Sequence, residues 1–445
     1  MIVIKGAQGI QLDPSKVWDT LDIVIDEGII TAAHPGAADE LTDVPERVID
    51  ASGLTAMPGM VCSHHHYYSA LSRGIIAPFG PMNDFISILK ELWWRVDRVL
   101  DEEAVFLSSL VSSIEAISRG TTSVIDHHAS PSCIAGSLDA VRRGFEEAGL
   151  RGMTCYEVTD RNGGIREAAA GIEENLSFIS RIDRERQSGT WSGLMEAAVG
   201  AHAPFTLDDA CLELLADAVR RTGRGLHIHV AEDAYDVSCS HHRHGVDCIS
   251  RLDDRGLLDS RSLLVHGVHL SREEISTINS RDAFLIHNVR SNMNNRVGYQ
   301  HHIGEAANLA LGTDGIGADM FEELKFAYFK HRDAGGDLGP DHFTRALSGG
   351  NEILSRYWGR QFGRLEAGCA ADIILCGYRS PAPLTAENIP GHLVFGMDAS
   401  SVHTVVINGR VVMEDRTFPF DVDAVYAKAR SCAASMWKRM ESLRP

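Results

Sequence analysis

Short apolar runs rich in β-branched residues recur along the middle of the chain, each ending in polar residues. They are "GMVCSHHH", "TTSVIDHH", "RGMTCYEV", "LMEAAVGAHA", "GLHIHVAE", "SLLVHGVHL", "DAFLIHNVR" and "NLALGTDG". Runs of this length bounded by turn residues read as buried strands. Between them the period changes to that of a helix. In "DEEAVFLSSLVSSIEAISRG", Leu107, Leu110, Val111, Ile114 and Ile117 share one helical face and Gly120 marks the stop. A second helix, "TLDDACLELLADAVRRTGRG", opens with Thr206 and Asp209 at capping-box spacing. Eight strands alternating with helices predict an α/β fold, a (β/α)8 barrel of the TIM type, whose functional side chains belong at the carboxyl ends of the strands.

The chain ends have a different texture. "MIVIKGAQGIQL" and "LDIVIDEGIITAA" read as strands joined by a glycine turn, and so do "AADIILCG" and "SVHTVVINGRVVMEDR", where Asn408-Gly409 is a hairpin signal. Two distant clusters of one type predict a small composite β-sandwich built from both ends. Residues 1–58 and 361–445 would form it, together with a terminal helix, around a barrel of residues 59–360. After the first barrel strand, "PFGPMNDFISILKELWWRVDRVL" reads as an amphipathic helix with Trp93 or Trp94 in the core. Residues 75–84 before it could form a lid.

Charge narrows the partners. Across 445 residues, 42 basic and 61 acidic side chains give a formal −19, which repels nucleic acid and anionic membranes. No apolar run approaches the roughly 18 residues of a membrane span, and the opening residues lack a signal-peptide core. The nine cysteines are scattered without a C-x-x-C pair, so neither a disulfide framework nor a cysteine-zinc finger is expected, and a cytoplasmic location is.

The candidate chemistry lies in the histidines. Side chains alternate along a strand, so His64 and His66 can face one way while His65 faces the other. His227 and His229 repeat that spacing at the fifth run, with Glu232 beyond them. His266 and His269 follow at the sixth, and Asp314 at the eighth. Imidazoles plus one carboxylate suit a divalent ion with an open position for water. No lysine lies in any of the eight runs, so a carboxylated lysine bridging two ions is not supplied, and one ion is expected.

Through "PGMVCSHHHYYSALSRG", "TSVIDHHASP", "GAHAPFT", "GRGLHIHVAED", "RSNMNNRVGY" and "LGTDGIGADMFEE", the whole chain resembles the amidohydrolase superfamily, in the cytosine-deaminase-like branch with triazine hydrolases and guanine deaminase. The resemblance implies that His64, His66, His229 and Asp314 hold one divalent ion, zinc first and iron or manganese as alternatives. It makes Glu232 the proton carrier and His266 the partner that polarises water or substrate. It also implies substrate contacts from His202 and Asn292, although "HNVRSN" departs from the usual opening of that segment. Tyr156 and Arg290 are expected on the pocket rim, and one of His127 and His128 in solvent or under a loop.

The activity implied is hydrolytic deamination of a small aminated nitrogen heterocycle, purine or pterin-like, by a homo-oligomer using water. Asp314 would take the water proton, His266 would steady the hydroxide, and Glu232 would protonate the ring nitrogen and then the departing amine. A dehalogenase or amide-bond hydrolase of the same fold, and a catalytically silent metal- or metabolite-binding barrel, are the alternatives. Glu232 favours deamination, because ammonia leaves poorly unless protonated.

Overall fold

Eight parallel strand positions follow the eight apolar runs. They are β1 (Met60–His65), β2 (Thr121–His128), β3 (Arg151–Tyr156), β4 (the two segments Met195–Ala197 and Val199–Ala201), β5 (Leu226–Val230), β6 (Leu263–His266), β7 (Phe284–His287) and β8 (Leu309–Leu311). This computed structural model describes residues 1–443. The first half of β4 pairs with β3 and the second half with β5, so the strand belongs to two sheets. Parallel bridges Val158–Ala201 and His65–Asp314 join those sheets at both seams, and the second lays the end of β8 against β1. Gly312 permits that approach, since a Cβ there would lie 2.9 Å from the Cβ of His64.

The first predicted helix runs from Glu102 to Ser118 behind an Asp101 cap, and Leu107, Leu110, Val111, Ile114 and Ile117 are all buried. The second begins later than its sequence suggests. It spans Asp209–Thr222, and its cap is Asp208, whose carboxylate accepts from the Cys211 N–H at 2.8 Å. The hydroxyl of Thr206 is engaged elsewhere, 2.7 Å from His202 Nδ1. A nearer carboxylate on extended backbone has displaced the hydroxyl as the cap.

Both chain ends contribute to one eight-stranded sheet. Its order is Arg410–Met413, Val402–Ile407, Ile373–Cys376, Thr55–Pro58, Ile2–Leu12, Ser15–Asp26 and Ile29–His34, with Arg47–Asp50 also paired to Ile2–Leu12. Ile4, Ile23 and Ile30 from the start of the chain share a buried cluster with Ile373, Leu375 and Val406 from its end. The helix Val422–Glu441 then returns to the barrel, where the Trp437 indole N–H donates to the Leu71 carbonyl at 2.8 Å. Among the described residues no helix is long and apolar enough to cross a membrane.

The segment after β1 differs from its expected form. Residues 75–84 have no regular structure; beyond them lie a helical turn at Phe85–Ile88, a wide π-helical turn at Leu89–Trp93 and a last turn at Trp94–Val96. Its tryptophans are half-buried: both line a cavity over the barrel mouth while packing against the cluster of Phe85, Leu89, Val268 and Val297. Arg95 braces it from behind, donating to the carbonyls of Pro78 at 2.9 Å and Met440 at 3.0 Å.

Candidate metal centre and active-site cavity

The alternation of β1 and β5 brings three imidazoles to a point. His229 Nε2 lies 3.1 Å from His66 Nε2 and 3.3 Å from His64 Nε2. Asp314, at the end of β8, places Oδ1 3.1 Å from His66 Nε2 and 3.8 Å from His64 Nε2. His65 points away and contacts the Thr313 hydroxyl through Nδ1 at 2.9 Å.

Hydrogen bonds behind the rings fix what these nitrogens carry. His66 Nδ1 lies 2.7 Å from the His127 carbonyl, and His229 Nδ1 lies 2.8 Å from the His202 carbonyl. A carbonyl only accepts, so each Nδ1 is the N–H, and each ring in its neutral form presents a bare Nε2 to the centre. Converging lone pairs and a carboxylate repel one another unless a positive charge joins them. A tetrahedral ion with N ligands at about 2.0–2.1 Å would hold those nitrogens about 3.3–3.4 Å apart, so the donor set and its spacing fit zinc or a similar ion.

Electrostatics point the same way. Burial works against charge on His66, yet the hydrogen bond and charge of Asp314 push it up to about 9. Burial opposes ionisation of Asp314 as well, but His64 and His66 hold it well below the usual carboxylate range. The centre therefore keeps an ionised carboxylate and attracts positive charge.

Around it stand the proton-handling groups. His266, at the end of β6, is held through Nδ1 by Asn292 Oδ1 at 2.8 Å, and its Nε2 reaches 3.4 Å from Glu232 Oε2 and 4.0 Å from Asp314 Oδ2. Ser291 donates its hydroxyl to Asp314 Oδ2. Burial first, and then the charge of Asp314, push the Glu232 carboxyl well above its ordinary value, which favours its acid form. Three strand ends turn through left-handed backbone here, Ala231 at φ 47°, His266 at φ 71° and Asp314 at φ 53°. Such strain in residues other than glycine collects where side chains must be aimed.

The cavity has two kinds of wall. Phe85, Leu89, Trp93, Trp94 and Phe205 form an apolar roof, while His66, His229, Glu232 and Asp314 line the floor. Glu157, Arg161 and His202 form a polar side. His202 Nε2 lies 3.5 Å from Glu157 Oε1, and burial pushes Glu157 up to about 7. Arg161 pairs with buried Asp97 and lies over the Trp94 ring at 5.1 Å.

Several expected residues lie elsewhere. Asn292 is behind His266, where it orients the imidazole; from its segment Ser291, Asn294 and Asn295 face the cavity instead. The short helix Val289–Asn295 turns the cavity-facing side away from Asn292. Tyr156 is buried below the mouth, and Arg290 is occupied by Glu322 and Glu323. Neither His127 nor His128 meets solvent: His127 is stacked on His227 with ring centroids 4.4 Å apart, and His128 is buried under the loop after β2, where its Nε2 lies 2.9 Å from the Ser130 hydroxyl. Arg161 has no spacing signal because it lies in the loop after β3, whereas Glu157 stands in the third run, two positions after Cys155, where strand alternation could have flagged it. The "H-x-H" of β5 did flag His227.

A barrel with imidazoles from β1 and β5, a carboxylate from β8 and a composite sheet defines a class of hydrolase, and the comparisons agree. The chain belongs to the amidohydrolase family, whose model matches residues 55–412. More particularly, it is 30% identical to a 5-methylthioadenosine/S-adenosylhomocysteine deaminase of Pelotomaculum thermopropionicum, over 98% of this chain and 99% of that one. It is 28% identical to a 5'-deoxyadenosine deaminase of Methanosarcina mazei over 99% of each. A crystal structure of an adenosine deaminase from Xanthomonas campestris with bound zinc shares the fold, with a TM-score of 0.84 at 23% identity over 99% of both chains.

Proposed function

We propose that this protein is a hydrolytic deaminase of aminated purine-type heterocycles, adenine nucleosides foremost, working with one zinc ion held by His64, His66, His229 and Asp314. The observation that carries the proposal is the placement of Glu232: a buried carboxyl facing the cavity, 3.4 Å from His266 Nε2 and beside the converging ligand atoms, where burial favours its acid form. The names of the relatives support the substrate class, and the zinc in the similar adenosine deaminase structure supports the metal.

The ion supplies the Lewis acidity that makes water nucleophilic near neutral pH. The chain's own residues do the rest. Trp93, Trp94 and Phe205 offer aromatic surface to a flat ring, and the roof excludes bulk water. Asp314, ionised and hydrogen-bonded by Ser291, accepts the proton that the attacking water loses. His266, fixed by Asn292, presents Nε2 toward the oxygen that forms on the ring carbon. Glu232 gives its proton to the ring nitrogen, regains one from Asp314 or water, and delivers it to the leaving amine; as the C–N bond breaks and ammonia departs neutral, the new hydroxyl becomes the ring carbonyl and its proton returns to Glu232.

The test is ammonium release by protein loaded with one equivalent of zinc, across 5'-methylthioadenosine, S-adenosylhomocysteine, 5'-deoxyadenosine, adenosine, guanine and pterins. Turnover of at least one purine, abolished by chelation and restored by zinc, is expected. Loaded protein that releases no ammonium from any of them would sink the proposal.

A further inference from the structure

His66 and His229 each rest Nδ1 on a backbone carbonyl, but His64 does not. Its Nδ1 faces His227 Nε2 at 2.9 Å, and His227 Nδ1 in turn faces Cys155 Sγ at 3.5 Å. The Cys155 thiol then points at the Asp126 carbonyl at 3.8 Å. All three side chains are buried, and the ring of His127 lies against His227 at an interplanar angle of 25°, holding its plane.

We infer that Cys155 and His227 are positioning residues that fix the tautomer of His64, so that its Nε2 lone pair meets the ion. The inference rests on the proposed metal centre. With the Cys155 thiol donating to the Asp126 carbonyl, the protons along the chain run in one direction. The Asp126 carbonyl must accept, so the thiol donates to it. The thiol sulfur then accepts from His227 Nδ1–H, which leaves His227 Nε2 as the acceptor for His64 Nδ1–H. His64 Nε2 is thereby bare. Each ligand histidine is thus anchored to a backbone carbonyl, two directly and His64 through two intermediaries. Partners behind a ligand imidazole that set its tautomer and orientation are worth about 10–100-fold in metal affinity.

A rival use of the same atoms is a second ion on Cys155, His127 and His227, whose ligand atoms lie within 4.8 Å of one another. The two arrangements exclude each other. An ion on His227 Nδ1 leaves the proton on Nε2, which forces the His64 proton onto its own Nε2 and removes that nitrogen from the upper centre.

The test compares zinc affinity, by competition with a chromophoric chelator, together with ion stoichiometry and the visible spectrum of the cobalt-substituted protein. His227→Phe should weaken zinc by about 10–100-fold. His227→Gln should bind nearly as wild type, because its amide oxygen can accept from His64. Cys155→Ala should weaken zinc, whereas Cys155→Ser, which still accepts and donates, should restore both affinity and the cobalt spectrum. A packing role would make Ala and Ser equal, or favour Ala. That result, wild-type affinity in His227→Phe, or a fall from two ions to one in Cys155→Ala would each overturn the inference. Wild-type protein that binds no ion would instead overturn the metal centre itself.

Discussion

At the scale of single residues, the proposed chemistry turns on Glu232. Its raised pKa has a direct consequence for pH. The acid form acts, so activity should persist above the ordinary carboxylate range and fall as pH rises further and the carboxyl ionises. Glu232→Gln should lower kcat by about 100–10,000-fold, the usual worth of a positioned acid, without changing zinc content, and its residual rate should lose that alkaline limb. A kcat within a few-fold of wild type would remove Glu232 from the mechanism. The converging residues were legible because strand alternation is a strong rule: it separates His65 from His64 and His66 without reference to any fold. Arg161 was not legible, since it follows β3 in a loop where no period says which way a side chain points; Glu157 lay inside the third apolar run and Asn295 in a short helix whose facing the sequence does not set.

At the scale of elements, the eight strands could be read because each apolar run ends abruptly at polar residues. The hairpins could be read because their turn residues have a conformational reason. Asn408 and Gly409 both adopt positive φ, at 51° and 70°, between antiparallel strands. Gly409 also sits against Gly28, the turn glycine of the hairpin at the other end of the chain; a Cβ on Gly409 would lie 2.8 Å from the Gly28 Cα. Gly409→Ala combines left-handed strain with a backbone clash and should cost about 1–3 kcal/mol, read as a lower urea midpoint at unchanged zinc affinity. An unchanged midpoint would mean that the two turns part freely. The segment with Trp93 and Trp94 defeated the sequence reading for the opposite reason. Its apolar residues fit a helix facing the core equally well, and only the wide turn at Leu89–Trp93 and the brace from Arg95 aim it over the cavity.

At the scale of the whole molecule, sequence patterns told that the chain ends resemble each other, yet they could not tell what ties the shared sheet to the barrel. The tie is a buried ion pair. Arg151, the first residue of β3, reaches Asp372 through Nε at 2.6 Å and a second nitrogen at 3.0 Å, with both side chains buried. Asp372 also accepts from the Asn408 N–H at 2.8 Å, and the Arg151 guanidinium lies 4.9 Å from the Phe362 ring centre. The pair therefore joins the foot of the barrel, the composite sheet and the hairpin turn, at the end away from the catalytic mouth. Arg151→Leu leaves a carboxylate buried without its partner and should cost about 3–5 kcal/mol. With an unfolding entropy of about 2.1 cal/mol/K per residue, that is a fall in Tm of roughly 3–5 °C for a chain of this length unfolding in one step. Adding Asp372→Asn removes the stranded charge and should recover part of the loss, because the two sites share one interaction. Ammonium release per bound zinc should stay at the wild-type level in both variants. If Arg151→Leu instead lost zinc or turnover while keeping its Tm, the pair would be coupled to the site rather than to the joint between sheet and barrel.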